Sequence, residues 1–217
     1  MPISPAYQRP GRGQLCCLTA PRAGAGTWHR ARLGLDGGVA DQLPPSTFVV
    51  VSGAPASGKT TLARAIAPAL GLPLVAKDTI KEALMSVLPV PDVEASRAIG
   101  TASVAALLAV AAETSGAVLE SVWHRSRSGP DLQRLPGNIV EVFCRCDPRI
   151  ARRRYAERAD GRAVGHFGAE RTPAELWNDE VARPVAGGWP VIEICTNDPV
   201  DVAPLTARIR AAAGMAA

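Results

Sequence analysis

Short apolar runs alternate with longer amphipathic or alanine-rich segments from residue 47 onward. The run at 48–52 is apolar and β-branched, which is typical of a strand buried on both faces. Similar runs predict strands at 73–76, 117–122, 139–146 and 190–195, and the segments between them predict helices at 61–70, 79–88, 93–115, 149–158 and 200–213. This alternation predicts a three-layer α/β/α fold in which helices cover both faces of a five-stranded, mainly parallel sheet.

The first predicted strand runs directly into a glycine loop, Gly53-x-x-x-x-Gly58-Lys59-Thr60, with a predicted helix behind it. This is the spacing and context of the phosphate-binding P-loop, whose backbone N–H groups form a nest for anions at a helix N-terminus. Lys59 is expected to reach the β- and γ-phosphates of ATP, and the Thr60 hydroxyl to join the shell of a Mg²⁺ ion. The residues expected to hold the nucleotide are Gly53, Ala54, Pro55, Ala56, Ser57, Gly58, Lys59, Thr60 and Thr61.

Charge is unevenly distributed along the chain, which has 217 residues, a net charge of +4 and an isoelectric point near 9.0. Residues 1–46 hold five arginines and two aspartates, which leaves 19 basic and 18 acidic residues in the remainder. A balance of +1 over that remainder gives little support for a broad nucleic-acid surface. No apolar run is expected to reach the ~20 residues of a membrane span, so no membrane contact is predicted.

The composition also changes near residue 47. Residues 1–46 are rich in Pro, Gly and Arg without sustained periodicity, so we expect a disordered extension or residues upstream of the true start codon. Residues 47–217 are expected to form one domain. The five cysteines, at positions 16, 17, 144, 146 and 195, lack the spacing of a zinc site and predict reduced thiols in a cytoplasmic protein.

Two motifs that the chain lacks argue against a GTPase and against a motor ATPase. The chain has no Asn-Lys-x-Asp motif for reading guanine, and no apolar run closing in Asp or Asp-Glu as a motor ATPase needs.

Asp78 follows the second predicted strand, where side chains face the ligand crevice of a parallel sheet. There it could take the proton of an acceptor hydroxyl, or it could cap the helix predicted at 79–88. Lys81, one turn later, is expected to be a solvated or pairing charge.

A second candidate group lies in the basic segment at 152–158. Arg154 and Arg158 are four residues apart and share a helix face, so both could neutralise charge on a transferring phosphoryl group from a closing flap. The alternative is a solvated helix with an intrahelical pair between Arg153 and Glu157.

Other polar residues are weaker candidates. Glu120, at the end of the third predicted strand, could hold the metal through water or contact the acceptor. His124 and Arg125 could face the acceptor, and His166 could contact a ligand from the flap. The tryptophans at 123, 177 and 189 are expected to pack in the core or in loops.

These residues resemble those of the small P-loop kinases grouped with zeta toxins, chloramphenicol phosphotransferase, gluconate kinase and the kinase domain of polynucleotide kinase. Many such proteins carry only an AAA-type ATPase or kinase label. The resemblance covers about residues 47–213 and rests on the blocks GAPASGKTT (53–61), LPLVAKDTIKEAL (72–84), VEVFCRCDPRIARRRYAER (140–158) and WPVIEICTNDPVD (189–201).

The resemblance implies roles for individual residues. Lys59 and Thr60 match the phosphate and metal contacts, Asp78 the acceptor-binding acid, and Arg154 and Arg158 the lid arginines. Gluconate kinase carries a similar Arg-x-x-x-Arg and a nearby His-Phe. Here the gap to that pair is longer and a matching Ser-Gln segment is missing, which argues against gluconate. The aspartate that many relatives place after strand three is also missing beside Glu120.

The sequence therefore predicts a phosphotransferase that uses ATP and Mg²⁺ to phosphorylate a hydroxyl of a small-molecule acceptor. A polynucleotide 5′-hydroxyl kinase is the second hypothesis, which the charge balance disfavours. The third is an ATP-binding regulatory or toxin–antitoxin-type protein with little turnover. No protein partner is indicated.

Overall fold

A computed structural model describes residues 46–158, 167 and 171–214, and shows a parallel sheet at their centre. Its strands are β1 (Thr47–Ser52), β2 (Leu74–Ala76), β3 (Gly116–Glu120), β4 (Asn138–Arg145) and β5 (Val191–Cys195). The strand order is β2-β3-β1-β4-β5, with every described pair parallel. The predicted fold class is confirmed, and the carboxyl end of β1 lies between those of β3 and β4.

The described residues also form seven helices. They are α1 (Lys59–Leu70), α2 (Lys77–Met85), α3 (Val93–Ala112), α4 (Arg125–Leu132), α5 (Pro148–Glu157), α6 (Pro173–Leu176) and α7 (Val202–Gly214). The predicted segments account for all of them except α4 and α6.

Helix α4 lies in a segment for which the sequence pattern predicts no helix, and its sequence contains Gly129 and Pro130 and few apolar residues. Its first turn is stabilised from elsewhere in the chain. The Glu180 carboxylate accepts hydrogen bonds from the Ser126 backbone N–H (2.9 Å) and hydroxyl (2.7 Å). A partner 54 residues away leaves no local signal, and that is why the pattern missed this helix.

Two apolar cores lie on opposite faces of the sheet. On one face, α1 and α7 pack over β1, β3, β4 and β5 through residues such as Ile66, Val142 and Ile209. On the other, α3 and α4 cover β1, β3 and β4, with Leu107 and Trp123 among the buried side chains. The predicted packing role of Trp123 is therefore confirmed.

Helix α3 differs from one expectation. Among the described residues, it is the single helix whose length and mean hydropathy, 1.5, would suffice to cross a membrane, although no such segment was expected. This criterion considers only length and composition, and core helices of globular proteins also satisfy it. One stripe of α3 is buried, consisting of Ser96, Ile99, Ser103, Leu107 and Ala111.

A fully buried carboxylate ties β4 to two other parts of the chain. Glu141 accepts hydrogen bonds from the hydroxyl of Ser52 (2.6 Å) and the backbone N–H groups of Val185 (2.8 Å) and Ala186 (2.9 Å). The Trp189 indole N–H donates to the same carboxylate at 3.1 Å. Since Ser52 directly precedes the glycine loop, this network fixes the end of β1 against the segment that leads into β5.

Replacing Glu141 by Gln should lower the free energy of unfolding by about 2 kcal/mol or more, because the new amide NH₂ would face N–H or O–H donors. Glu193→Gln, on the exposed face of the neighbouring strand, is the matched control and should change it by less than about 0.5 kcal/mol. Urea denaturation followed by circular dichroism measures both. Equal stabilities for the two variants would contradict this role.

Candidate nucleotide and acceptor site

The glycine loop at residues 53–58 has a backbone that only glycine allows at two positions. Gly53 has φ 135° and Gly58 has φ 90°. A Cβ on Gly53 would lie 2.7 Å from the carbonyl oxygen of Cys144, so β4 leaves no room for a side chain there. The loop therefore curls against β4 and enters α1, whose first-turn N–H groups have no acceptors within the helix. That donor set fits the phosphates of a nucleotide.

Lys59 lies inside this curve, with 5% of its surface exposed. Its ammonium group donates a hydrogen bond to the carbonyl oxygen of Ala54 at 2.7 Å. Burial lowers the pKa of Lys59, while the nearby carboxylate of Glu120 opposes that shift. A buried ammonium group on the first residue of α1 is placed to receive an anion at the helix N-terminus.

Glu120 ends β3 beside the loop and is also 5% exposed. Burial raises the pKa of Glu120, and the Lys59 charge and a hydrogen bond with Thr60 oppose that shift. A hydroxyl and a carboxylate in contact are ligands that suit Mg²⁺. The residues that the structure describes contain no group of three His, Cys, Asp or Glu side chains, so waters and phosphate oxygens would supply the remaining ligands.

Asp78 does not cap α2, contrary to the alternative considered above. The helix begins at Lys77, two residues earlier than predicted, and its N-cap is Ala76. The Asp78 side chain is 62% exposed and lies 2.9 Å from the Lys77 ammonium. Its charge raises the pKa of both Lys59 and Glu120, so Asp78 lies near these two buried charges.

The basic segment forms α5, with Asp147 as its N-cap as the sequence predicts. Arg154 donates to the carbonyl oxygens of Thr196 (2.9 Å) and Asn197 (2.6 Å), and so is held against the segment that follows β5. Arg158 donates to the carbonyl oxygen of Arg154 at 3.2 Å, and its charge contributes to the lowered pKa of Lys59.

Arg153 and Glu157 form the intrahelical pair that was the alternative interpretation of this segment, at 3.7 Å and largely exposed. His166, the proposed flap ligand, lies outside the described residues.

A cavity of about 880 Å³ opens beside the glycine loop, and we call it the α2–α4 cavity. Its lining comes from α2, α3, α4, α6 and the residues after β3. Asp78 and Pro55 lie where the cavity meets the loop. His124 lines it, with its pKa lowered chiefly by burial, whereas Arg125 is not part of the lining.

Lys81 was expected to be either solvated or paired, and the prediction of a solvated side chain is wrong. It is 2% exposed, lines the α2–α4 cavity and donates to the Ser96 hydroxyl at 2.8 Å. The chain has only three lysines, Lys59, Lys77 and Lys81, and all three lie at the glycine loop or in the cavity wall. Because lysine is so rare in this chain, its presence at these three positions was a sequence signal that could have marked all three as site residues.

Trp177 packs in a loop, as expected, but its position links two parts of the site. Its indole N–H donates to the Pro55 carbonyl oxygen at 3.3 Å. Its ring meets Tyr155 edge-on at 5.2 Å, and the guanidinium of Arg152 lies 5.7 Å from the ring centre. The glycine loop and α5 therefore share one aromatic contact, which sequence spacing could not reveal.

The described cysteines are free, as predicted. Cys144 is buried, which raises the pKa of its thiol to about 12, whereas Cys146 is partly exposed and Cys195 exposed. A buried thiol with so high a pKa is protonated at neutral pH and unsuited to catalysis. Cys16 and Cys17 lie outside the described residues.

Comparisons with known proteins identify solved structures of similar fold. No protein-family profile and no curated protein sequence matches the chain. Among solved structures it is similar to a protein of Chloroflexus aurantiacus provisionally described as a kinase, with a TM-score of 0.68 and 25% identity, covering 81% of this chain and 99% of that one. It is also similar in fold to a gluconokinase of Sinorhizobium meliloti (TM-score 0.51, 20% identity, 78% and 93% covered).

A third similar structure is the APS kinase of Mycobacterium tuberculosis, solved with AMPPNP and APS (TM-score 0.51, 18% identity, 76% and 96% covered). The match covers more than nine-tenths of each of these three neighbours, so the similarity extends over their whole fold. By its fold and its glycine loop, this chain has its structural neighbours among the small P-loop kinases.

Proposed function

We propose that this protein is a phosphotransferase that uses ATP and Mg²⁺ to phosphorylate a hydroxyl of a small molecule. One juxtaposition carries the proposal: Asp78 lines the α2–α4 cavity together with Pro55 of the glycine loop, and its charge acts on the buried Lys59. A protein that only hydrolysed or sensed ATP would need neither a second cavity nor a carboxylate at its mouth.

The loop residues 53–61 would hold the nucleotide. Their backbone N–H groups and the Lys59 ammonium bind the β- and γ-phosphates, and Thr60 and Glu120 hold the metal. When bound, Mg²⁺ neutralises phosphate charge and fixes its geometry. The APS kinase of similar fold was solved with the ATP analogue AMPPNP, which supports this assignment.

Asp78 would orient and deprotonate the acceptor hydroxyl. In the transfer, a bond forms between the acceptor oxygen and the γ-phosphorus, and the bond from that phosphorus to the β–γ bridging oxygen breaks. The hydroxyl proton goes to Asp78, and ADP leaves with the bridging oxygen. The Asp78 side chain is 62% exposed, so its carboxylate is accessible to an acceptor hydroxyl.

Arg158 and Arg154 would neutralise the transferring phosphoryl group. The Arg158 side chain is exposed and its charge already acts at Lys59, so it can turn toward the phosphates without losing a buried contact. The main role of Arg154 would be to anchor the segment after β5, and neutralising the phosphoryl group would be its second role.

A small-molecule acceptor is favoured over a polynucleotide. The α2–α4 cavity is a recess of about 880 Å³, within the range of small-ligand sites, whereas a nucleic-acid channel would need an extended basic surface. A cytoplasmic location agrees with the free thiols at 144, 146 and 195.

Asp78→Asn should lower kcat about 100-fold or more, because the amide cannot accept the hydroxyl proton. ATP affinity and melting temperature should stay close to those of the wild type. The assay is acceptor-dependent ADP formation in the small-molecule fraction of a cell extract. Glu94→Gln, an exposed carboxylate outside the cavity lining, is the control. Unchanged turnover in Asp78→Asn would contradict the assignment of Asp78 as the general base.

Arg158→Met should lower kcat about 100-fold with little effect on stability, since it removes charge that acts in the transition state. Arg153→Met is a matched control on the same helix and should alter kcat less than about twofold, because its exposed pair with Glu157 contributes only a few tenths of a kcal/mol to stability. Steady-state kinetics of both variants checks this. Equal losses would assign the effect to helix charge rather than to Arg158.

A further inference from the structure

The α2–α4 cavity extends along most of helix α3. Its lining includes residues of that helix from Arg97 to Ala112, a stretch that spans about 22 Å at the rise of an α-helix. A Cβ on Gly100 would lie 3.9 Å from the Lys77 ammonium, so this part of α3 lies against the start of α2. From Gly100 to Ala112 the helix continues for about 18 Å. The cavity is therefore an elongated cleft.

The two ends of the cleft lie at opposite edges of the sheet. Ser121 and Val122 line it directly after β3, at the carboxyl edge. Ala112 and Leu135 also line it, and they come shortly before the first residues of β3 and β4, at the amino edge. Ligands of open parallel sheets bind at the carboxyl edge. The nucleotide and the reacting hydroxyl therefore account for one end of the cleft, and the rest of its length is available to another part of a ligand.

The wall that α3 contributes is uncharged between its two ends. The helix sequence has no charged residue between Arg97 and Glu113. Val104 and Leu108 are four residues apart, so they share a helix face. Both line the cleft and are only partly buried against the core, so they present apolar surface to a ligand. The lining residues of this uncharged stretch are Gly100, Thr101, Val104, Ala105, Leu108 and Ala112.

Other segments add apolar side chains to the lining. Leu135, Leu176 and Val181 belong to it and are buried. Asp131 and Arg134, near the C-terminus of α4, lie 3.6 Å from each other, so each charge already has a partner. An uncharged, apolar group of a ligand fits this surroundings better than a charged one.

Most charged lining residues lie at the other end of the cleft. They are Lys77, Asp78 and Lys81 in α2, Arg97 with its partner Glu175 at 2.7 Å, and Arg127 in the first turn of α4. Both α2 and α4 begin just after a strand, at the carboxyl edge of the sheet. The cleft is thus polar where phosphoryl transfer would occur and apolar further along α3.

We propose that the acceptor is an elongated, uncharged hydroxyl compound whose apolar group lies along α3 while its hydroxyl lies at Asp78. The apolar stretch is continuous with the end that holds Asp78, so one molecule can occupy both. Burial of apolar surface contributes binding free energy in proportion to the buried area, so the apolar group would supply much of the affinity. This inference rests on the proposed function for the reacting hydroxyl, whereas the apolar subsite itself is testable by binding alone.

A homologous series of alkyl glucosides measures the apolar subsite. Methyl, butyl, hexyl and octyl β-D-glucoside share an uncharged, hydroxyl-bearing head and differ only in the length of the chain. Isothermal titration calorimetry, with every glucoside kept below the concentration at which it forms micelles, gives dissociation constants and heat capacity changes. We expect the dissociation constant to fall about two- to fourfold for each added methylene. The heat capacity change should become more negative as the chain lengthens.

Two substitutions on α3 form a matched pair for the same titrations. Ala105→Glu places a carboxylate in the apolar stretch of the cleft and should weaken octyl glucoside binding about tenfold or more. Ala109→Glu adds the same charge to the same helix outside the lining, and binding should stay within about twofold. Both alanines are exposed, so both variants should keep the stability of the wild type to within about 0.5 kcal/mol.

Three results would overturn the inference: no binding of octyl glucoside, an affinity that does not depend on chain length, or equal losses in Ala105→Glu and Ala109→Glu. Titration of the same protein with AMPPNP and Mg²⁺ separates the two proposals. Nucleotide binding without any dependence on chain length would contradict the apolar subsite alone. A dependence on chain length without nucleotide binding would contradict the proposed function alone.

Discussion

The close approach of the glycine loop to β4 is the constraint on which the site depends. A side chain at Gly53 would meet the Cys144 carbonyl oxygen at 2.7 Å, so the loop can pass only as bare backbone. Glu141 secures the same region by binding Ser52 at the end of β1. Because the loop is fixed against the sheet, Lys59 is held buried at its centre rather than in solvent.

The order of the strands determines which side chains lie beside the glycine loop. Placing β1 between β3 and β4 brings Glu120 to Thr60, and placing β2 beyond β3 brings Asp78 to the edge of the loop. The acid that would hold a metal ends β3, and the acid that would receive a proton lies in the first turn of the helix that follows the neighbouring strand β2. Their environments differ: Glu120 is buried with its pKa raised, whereas Asp78 is largely exposed. Two carboxylates with different surroundings suit two different tasks.

The sequence predicted the elements whose signal is local. Strand β1, the glycine loop and the N-cap at Asp147 each follow from a few adjacent residues, and all three are present. Helix α4 could not be predicted, because Glu180, 54 residues away, stabilises its first turn. Lys81 was expected to be a solvated or pairing charge, and its burial could not be predicted for a similar reason, since it depends on α3 packing against α2. Local pattern thus predicted the nucleotide side, whereas the acceptor side required tertiary packing.

The fate of the γ-phosphate of ATP tests the central claim most directly. ³¹P NMR can follow wild type and Lys59→Met with ATP, Mg²⁺ and the small-molecule fraction of a cell extract. The account predicts ADP and a new phosphate-ester signal with the wild type, and neither above background with Lys59→Met. Release of inorganic phosphate alone, or equal product with both proteins, would contradict it.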